Sequence, residues 1–135
     1  MAASRLVDAG FLLALINLRD SHHNWAVAMA AQHPPPWKTC EAVLSETFHL
    51  LGPQKGKLSA LLQRGVLTAS FDLGQNLDPV LALIRKYADV PMSLADACLV
   101  RMSETVADPI LLTTDSDFRV YRRHSRQAIP AILPA

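Results

Sequence analysis

Aromatic side chains are scarce, at 6% of the chain, so the core has to be assembled mainly from Leu, Ala, Val and Ile. A surplus of positive charge is missing as well. The net charge of +1 lacks the basic excess that often marks a nucleic-acid binder, and leaves room for one whose basic groups are gathered on a single face. The chain has two cysteines, Cys40 and Cys98, in hydrophobic surroundings and at no metal-ligand spacing. They read as buried free thiols in a reducing compartment. No apolar stretch approaches the roughly 18 residues of a membrane-spanning helix. Residues 1–20 lack the basic start, long apolar run and small-residue cleavage site of a secretory signal. A soluble cytoplasmic protein that does not enter a membrane is therefore expected. There is also no internal repeat, low-complexity tract or splitting linker, so the 135 residues are expected to form a single domain, 1–135.

What is present is an alternation of strand-like and helix-like stretches. Residues 5–7 form a short strand, with Asp8 at its end. Gly10 permits a sharp turn, and 11–16 read as a short buried helix. Asp20 or Ser21 can cap a helix running to Ala31. Pro34 to Pro36 forbid helix and lead into a strand at "WKTC". "EAVLSETFHLL" carries Val43, Leu44, Phe48 and Leu51 at helical spacing, with Gly52 and Pro53 as its stop. A short helix at "KGKLSALLQRG" ends at Gly65, and "VLTASFDL" alternates as a strand. "LDPVLALIRKYAD" reads as a helix with Asp78 as cap and Pro79 at its first position. "SLADACLVRMSETV" opens with Ser93 and Asp96 in a capping-box-like pair. A buried strand at 109–114 follows, then a short helix or turn at "SDFRVYRRHS". "AIPAIL" is a last extended segment that Pro130 assigns to a sheet edge. This order predicts an α/β fold with a mostly parallel central sheet and helices on both faces.

Ligands of such sheets bind beyond the carboxyl ends of the strands. Asp8 and Asp115 both stand at strand ends, Asp96 lies in the first turn of the helix leading into the strand before Asp115, and Glu46 sits in the helix after the second strand. Each has an ordinary explanation: a turn residue for Asp8, a helix-dipole acid for Asp96, an Asx turn for Asp115. Four acids at one edge would repel unless a cation neutralised them or they held protons. Hard oxygen ligands without His or Cys point to Mg²⁺ or Mn²⁺, which suits phosphodiester hydrolysis. Glu41 competes with Glu46, and the two lie about 140° apart around a helix, so only one can face the cluster. The five histidines make no metal pattern. His22 and His23 are expected at the surface and His49 half-buried.

"LVDAGFLLALIN", "EAVLSETFHLL", "SLADACLVRM" and "LLTTDSDF" resemble the four acidic motifs of the PIN-domain family, in family order, over residues 4–120. More narrowly, the chain resembles the VapC-type ribonuclease toxins of bacterial type II toxin–antitoxin pairs. The resemblance implies Asp8, Glu46, Asp96 and Asp115 as catalytic acids, with Asp8, Asp96, Asp115 and Asp117 as candidate metal ligands. Asp117 can instead be a supporting acid or a helix cap. The resemblance also implies an RNA substrate, a cognate antitoxin partner and a homodimer. The helices near the start and at 54–64 are candidates for those contacts. One position departs from the family: Ala9 stands where a Thr or Ser is usual, which removes a hydroxyl beside Asp8 and is the one feature favouring an inactive RNA-binding or interaction module. A phosphotransferase with an aspartyl nucleophile would carry a second Asp where Gly10 stands. Thr113 and Thr114 are candidates for orienting carboxylates or water. Arg119, Arg122 and Arg123, with Arg126, read as a phosphate-gripping patch or as a solvated face.

Overall fold

The computed structural model describes residues 3–135, and two short apolar runs make its centre. β1 (Ser4–Val7) and β4 (Pro109–Leu112) lie side by side and parallel, with Leu6 opposite Leu111 and Val7 opposite Leu112. All four of these side chains are buried, as strands covered on both faces require. β2 (Trp37–Thr39) and β3 (Leu67–Ala69) extend the sheet on one side of β1. β7 (Ala131–Ile132) closes the other side of β4, at the edge predicted from Pro130. The order β3-β2-β1-β4-β7 is parallel throughout. From β1 the chain moves first to one side and later to the other, so the β1–β4 boundary is the point where a crevice opens above the sheet.

The connections are α1 (Ala9–Ile16), α2 (His23–Gln32), α3 (Glu41–Leu51), α4 (Lys55–Gln63), α5 (Leu77–Lys86) and α6 (Leu94–Thr105). This is the single α/β domain, with helices flanking a parallel sheet, that the alternation predicted. α4 ends as expected at Gly65, whose φ of 73° lies in the left-handed region open to glycine. The few aromatics are concentrated. Of two Trp, two Tyr and four Phe, six are buried: Phe11, Trp37, Phe71, Tyr87, Phe118 and Tyr121. Phe11 stands edge-on to Trp25 at 6.1 Å and to Trp37 at 5.4 Å. Tyr121 stands edge-on to Tyr87 at 5.1 Å and to Phe118 at 5.3 Å.

Several local expectations need correction. α1 begins at Ala9, directly after Asp8, so Gly10 is inside the helix and makes no turn. Its missing side chain serves packing: a Cβ there would collide with Thr114 Oγ1. Asp78 and Pro79 lie within the first turn of α5, which starts at Leu77. α2 starts at His23 without a side-chain cap, while Asp20 closes a local turn by accepting from His22 N–H at 2.8 Å. His22 and His23 are partly buried, and the His23 ring lies 2.8 Å from the Ala14 carbonyl. His49 is exposed. The strand before Asp115 stops at Leu112. The arginine-rich stretch is a 3-10 turn at Ser116–Arg119, then β5 (Arg122–Arg123) paired antiparallel with β6 (Gln127–Ala128).

Gly10→Ala should lower stability by about 1–3 kcal/mol through overpacking, despite alanine's better helix propensity. Adding Thr114→Ala removes the clashing hydroxyl and should restore most of the loss in denaturant melts. A double variant no more stable than Gly10→Ala would refute the steric explanation.

Candidate functional site

Asp8 ends β1 in extended backbone (φ −100°, ψ 177°) and is the N-cap of α1. Its Oδ1 accepts the Phe11 N–H at 2.8 Å, and its Oδ2 accepts the Thr113 hydroxyl. Because Val7 pairs with Leu112, the next residues on the two strands, Asp8 and Thr113, meet across 105 positions of sequence. Thr113 Oγ1 also accepts the Asp115 N–H at 2.9 Å. One buried hydroxyl therefore fixes two acids. Asp115 in turn caps the 3-10 turn through the Asp117 N–H, at 2.9 Å.

Asp96 arrives on α6. The Ser93/Asp96 pair is a complete capping box: Ser93 Oγ accepts the Asp96 N–H at 3.0 Å, and Asp96 Oδ2 accepts the Ser93 N–H at 3.1 Å. The helix cap and the position at the crevice are thus compatible uses of one residue. Glu46 is exposed on α3. Asp8, Glu46, Asp96 and Asp115 together line a cavity of about 230 Å³ whose apolar walls include Leu13, Val43 and Leu99. Glu41 lines a separate cavity with Cys40 and Cys98. Of the two glutamates, only Glu46 joins the acidic pocket.

Electrostatics mark the pocket as unfinished. Asp8 is only 6% exposed, and burial pushes its pKa up to about 7. The bonds from Thr113 and Phe11 oppose that rise, and the charges of Asp115 and Asp96 add to it. Asp96 is raised too, first by burial and then by Asp115. No basic side chain answers these acids: the single ion pair among the described residues is Arg101–Glu104. Asp96 Oδ1, Asp115 Oδ2 and both Glu46 oxygens receive no hydrogen bond among the described residues. The donor set is hard oxygen, which suits Mg²⁺ or Mn²⁺. Among the described residues no three His, Cys, Asp or Glu side chains come together so as to hold a metal ion as a ready-made cage. A cage is what Zn²⁺ demands, whereas Mg²⁺ keeps much of its water and needs one or two carboxylates plus phosphate oxygens.

Of the other candidates, only Thr114 lines the cavity. Thr113 sits beneath it as the link between Asp8 and Asp115, and Thr114 lines it above Gly10. Asp117 lies in the first turn of the 3-10 segment. Arg122 donates to the carbonyls of Arg119, Val120 and Tyr121, and Arg123 donates to the Ser103 carbonyl. Arg122 thus braces the turn that leads into the hairpin, and Arg123 ties the hairpin to α6. Arg119 and Arg126 are exposed. One contact was not anticipated: the buried Tyr121 hydroxyl donates to Asp96 Oδ2 at 3.3 Å.

No curated protein sequence matches the chain. Among solved structures, the fold is similar to that of Mycobacterium tuberculosis VapC20, described as a sarcin–ricin loop cleaving toxin. The match has 22% sequence identity and a TM-score of 0.78, and covers 87% of this chain and 94% of that one. The family model for the PIN domain matches residues 5–123, nearly the whole span from β1 through β5. The chain therefore belongs to the PIN-domain family.

Proposed function

We propose that the protein is a Mg²⁺- or Mn²⁺-dependent endoribonuclease and the toxin of a toxin–antitoxin pair. The observation that carries this reading is the single pocket lined by Asp8, Glu46, Asp96 and Asp115 without a basic partner. Membership of the PIN family and the likeness to a toxin that cleaves the sarcin–ricin loop support ribonuclease chemistry.

Asp8, Asp96 and Asp115 are the residues that would hold the ion, with Asp117 as a further acid near it. When bound, the ion supplies positive charge for the phosphate oxygens and makes a water molecule more acidic. Glu46, exposed and free of hydrogen bonds from the described residues, is suited to take the proton as water attacks phosphorus. Phe11 N–H and the Thr113 hydroxyl keep Asp8 in one orientation, which preorganises the site. No side chain forms a bond to phosphorus. Ala9 removes a hydroxyl beside Asp8, but Thr113 delivers one to the same carboxylate, so the feature favouring an inactive module loses its force. With Arg122 and Arg123 turned to backbone carbonyls, Arg119 is the better placed of the candidate phosphate contacts.

A partner protein and a second copy of the chain have exposed apolar residues available, including Leu18 between α1 and α2, Val27 on α2 and Leu50 at the end of α3. No helix among the described residues is long and apolar enough to cross a membrane.

The test is cleavage of a structured RNA in Mn²⁺. Wild type should cut, excess chelator should stop it, and Asp96→Asn should lose at least tenfold, that is about 1.4 kcal/mol or more of transition-state stabilisation. Equal cutting by wild type and Asp96→Asn would sink the proposal.

A further inference from the structure

Asp96 divides its carboxylate between two tasks, and one of its oxygens carries a side-chain hydroxyl from a distant part of the chain. Its Oδ2 receives two donors, the Ser93 N–H at 3.1 Å and the Tyr121 hydroxyl at 3.3 Å. Its Oδ1 receives none among the described residues. The Ser93 bond alone would let the carboxylate swing about it. Tyr121 removes that freedom, because its own ring cannot move: it is fully buried and packed edge-on between Tyr87 and Phe118. Tyr87 is held in turn, its hydroxyl accepting the Arg122 N–H at 2.9 Å. The phenol lies only six residues beyond Asp115, on the same returning segment, so one stretch of chain delivers an acid and a brace for a second acid.

We propose that Tyr121 is a positioning residue for Asp96: its hydroxyl pins Oδ2 and leaves Oδ1 as the oxygen offered to a divalent cation. The Thr113 hydroxyl likewise holds Asp8 by Oδ2, but there Oδ1 is also engaged, by the Phe11 N–H. This positioning role of Tyr121 rests on reading the acidic pocket as a cation site, and concerns the cation before any RNA is bound. Oxygen atoms that are hydrogen-bonded behind a ligand commonly change metal affinity by one to two orders of magnitude when that support is removed.

The experiment uses the full chain and Mn²⁺ alone, with the thermal shift as readout. Tyr121→Phe keeps the ring and its stacking and deletes only the hydroxyl. Tyr87→Phe is the control, since it deletes a hydroxyl from the same stack without touching an acid. Tyr121→Phe should need about five- to tenfold more Mn²⁺ for half its thermal shift, and Tyr87→Phe should stay within about twofold of wild type. In RNA cleavage, high Mn²⁺ should restore Tyr121→Phe towards the wild-type rate, which a packing defect would not allow. An unchanged Mn²⁺ midpoint for Tyr121→Phe overturns the proposal. So does an equal shift for Tyr87→Phe, which would assign the effect to ring packing, and so does a wild-type melt that ignores Mn²⁺. If wild type binds Mn²⁺, Tyr121→Phe weakens it, and neither cuts RNA, the positioning role stands and the ribonuclease reading falls.

Discussion

Asp8→Asn is expected to slow RNA cleavage about a thousandfold and yet, at pH 8 without divalent cations, to raise the melting temperature by on the order of 10 °C. Both effects come from one carboxylate. In the fold Asp8 is almost fully buried, with two more acids adding negative potential, and its pKa is pushed up to about 7. At pH 8 it is ionised, so the cation-free protein carries the strain of a buried charge. Asparagine keeps the structural part of the job. It is as good an N-cap as aspartate, its oxygen can accept the Phe11 N–H, and its amide can donate to Thr113 Oγ1. It loses the charge that would hold a cation. The shift of about three pKa units corresponds to roughly 4 kcal/mol at most, so a gain of 2–4 kcal/mol is about 7–14 °C for a domain of this size. Melts of both proteins in chelator decide the matter. An Asp8→Asn protein less stable than wild type at pH 8 would mean that the acid is favoured by its neighbours, against the reading of the pocket as an unmet cation site.

The second large effect is a reversal of the usual pH dependence. A carboxylate held in a salt bridge stabilises a protein above its pKa and loses that contribution as the solution is acidified. Asp8 does the opposite. Its folded pKa of about 7 lies above the unfolded value near 3.8, so between those limits the folded chain holds a proton that the unfolded chain has released. Stability is therefore fully present below about pH 4 and falls as pH rises towards 7. Asp96, raised in the same direction, steepens the fall. The loss from Asp8 alone is on the order of 4 kcal/mol. If the pocket is the cation site proposed above, millimolar Mn²⁺ should bind its ionised form, so the stabilising effect of Mn²⁺ should grow over the same pH range and flatten or invert the curve. Urea melts of wild type and Asp8→Asn from pH 4.5 to 8, with chelator or Mn²⁺, isolate the contribution as the difference between the proteins. If that difference does not change with pH in chelator, Asp8 does not titrate as described.

Residues whose roles are local were legible in the sequence. Ser93 and Asp96 announce a capping box within four residues, Gly65 marks a helix end, Pro130 an edge strand, and the alternation of apolar runs the parallel sheet. The gathering of Asp8, Glu46, Asp96 and Asp115 around one cavity also followed, because strand ends in such a sheet share an edge. What escaped depended on contacts distant in sequence. Gly10 looked like a turn because glycine's common use is conformational, and only Thr114, in the segment just after β4, explains it. The arginine run looked like a cation patch, but two of its members face carbonyls of the turn before the hairpin and of α6. Tyr121 lay inside that run, and no spacing rule links it to Asp96. Its only outward sign was a pair of apolar residues, Val120 and Tyr121, amid charge. The start of α5 was misjudged because Asp78 and Pro79 are each acceptable one or two places further into a first turn.

The β1–β4 pairing, flush at Val7 and Leu112, also sets a timetable. β1 is synthesised well before its partner β4, and β4, the acid Asp115, the brace Tyr121 and the edge strand β7 all lie within residues 109–135. At ordinary translation speeds those residues take roughly 1–5 s to add. Until then Asp8 has no Thr113 hydroxyl and no neighbour on that side of its strand, although Glu46 and Asp96 already exist. The nascent chain is thus a PIN scaffold with an open seam, and its pocket can close only after residues 109–121 have been added.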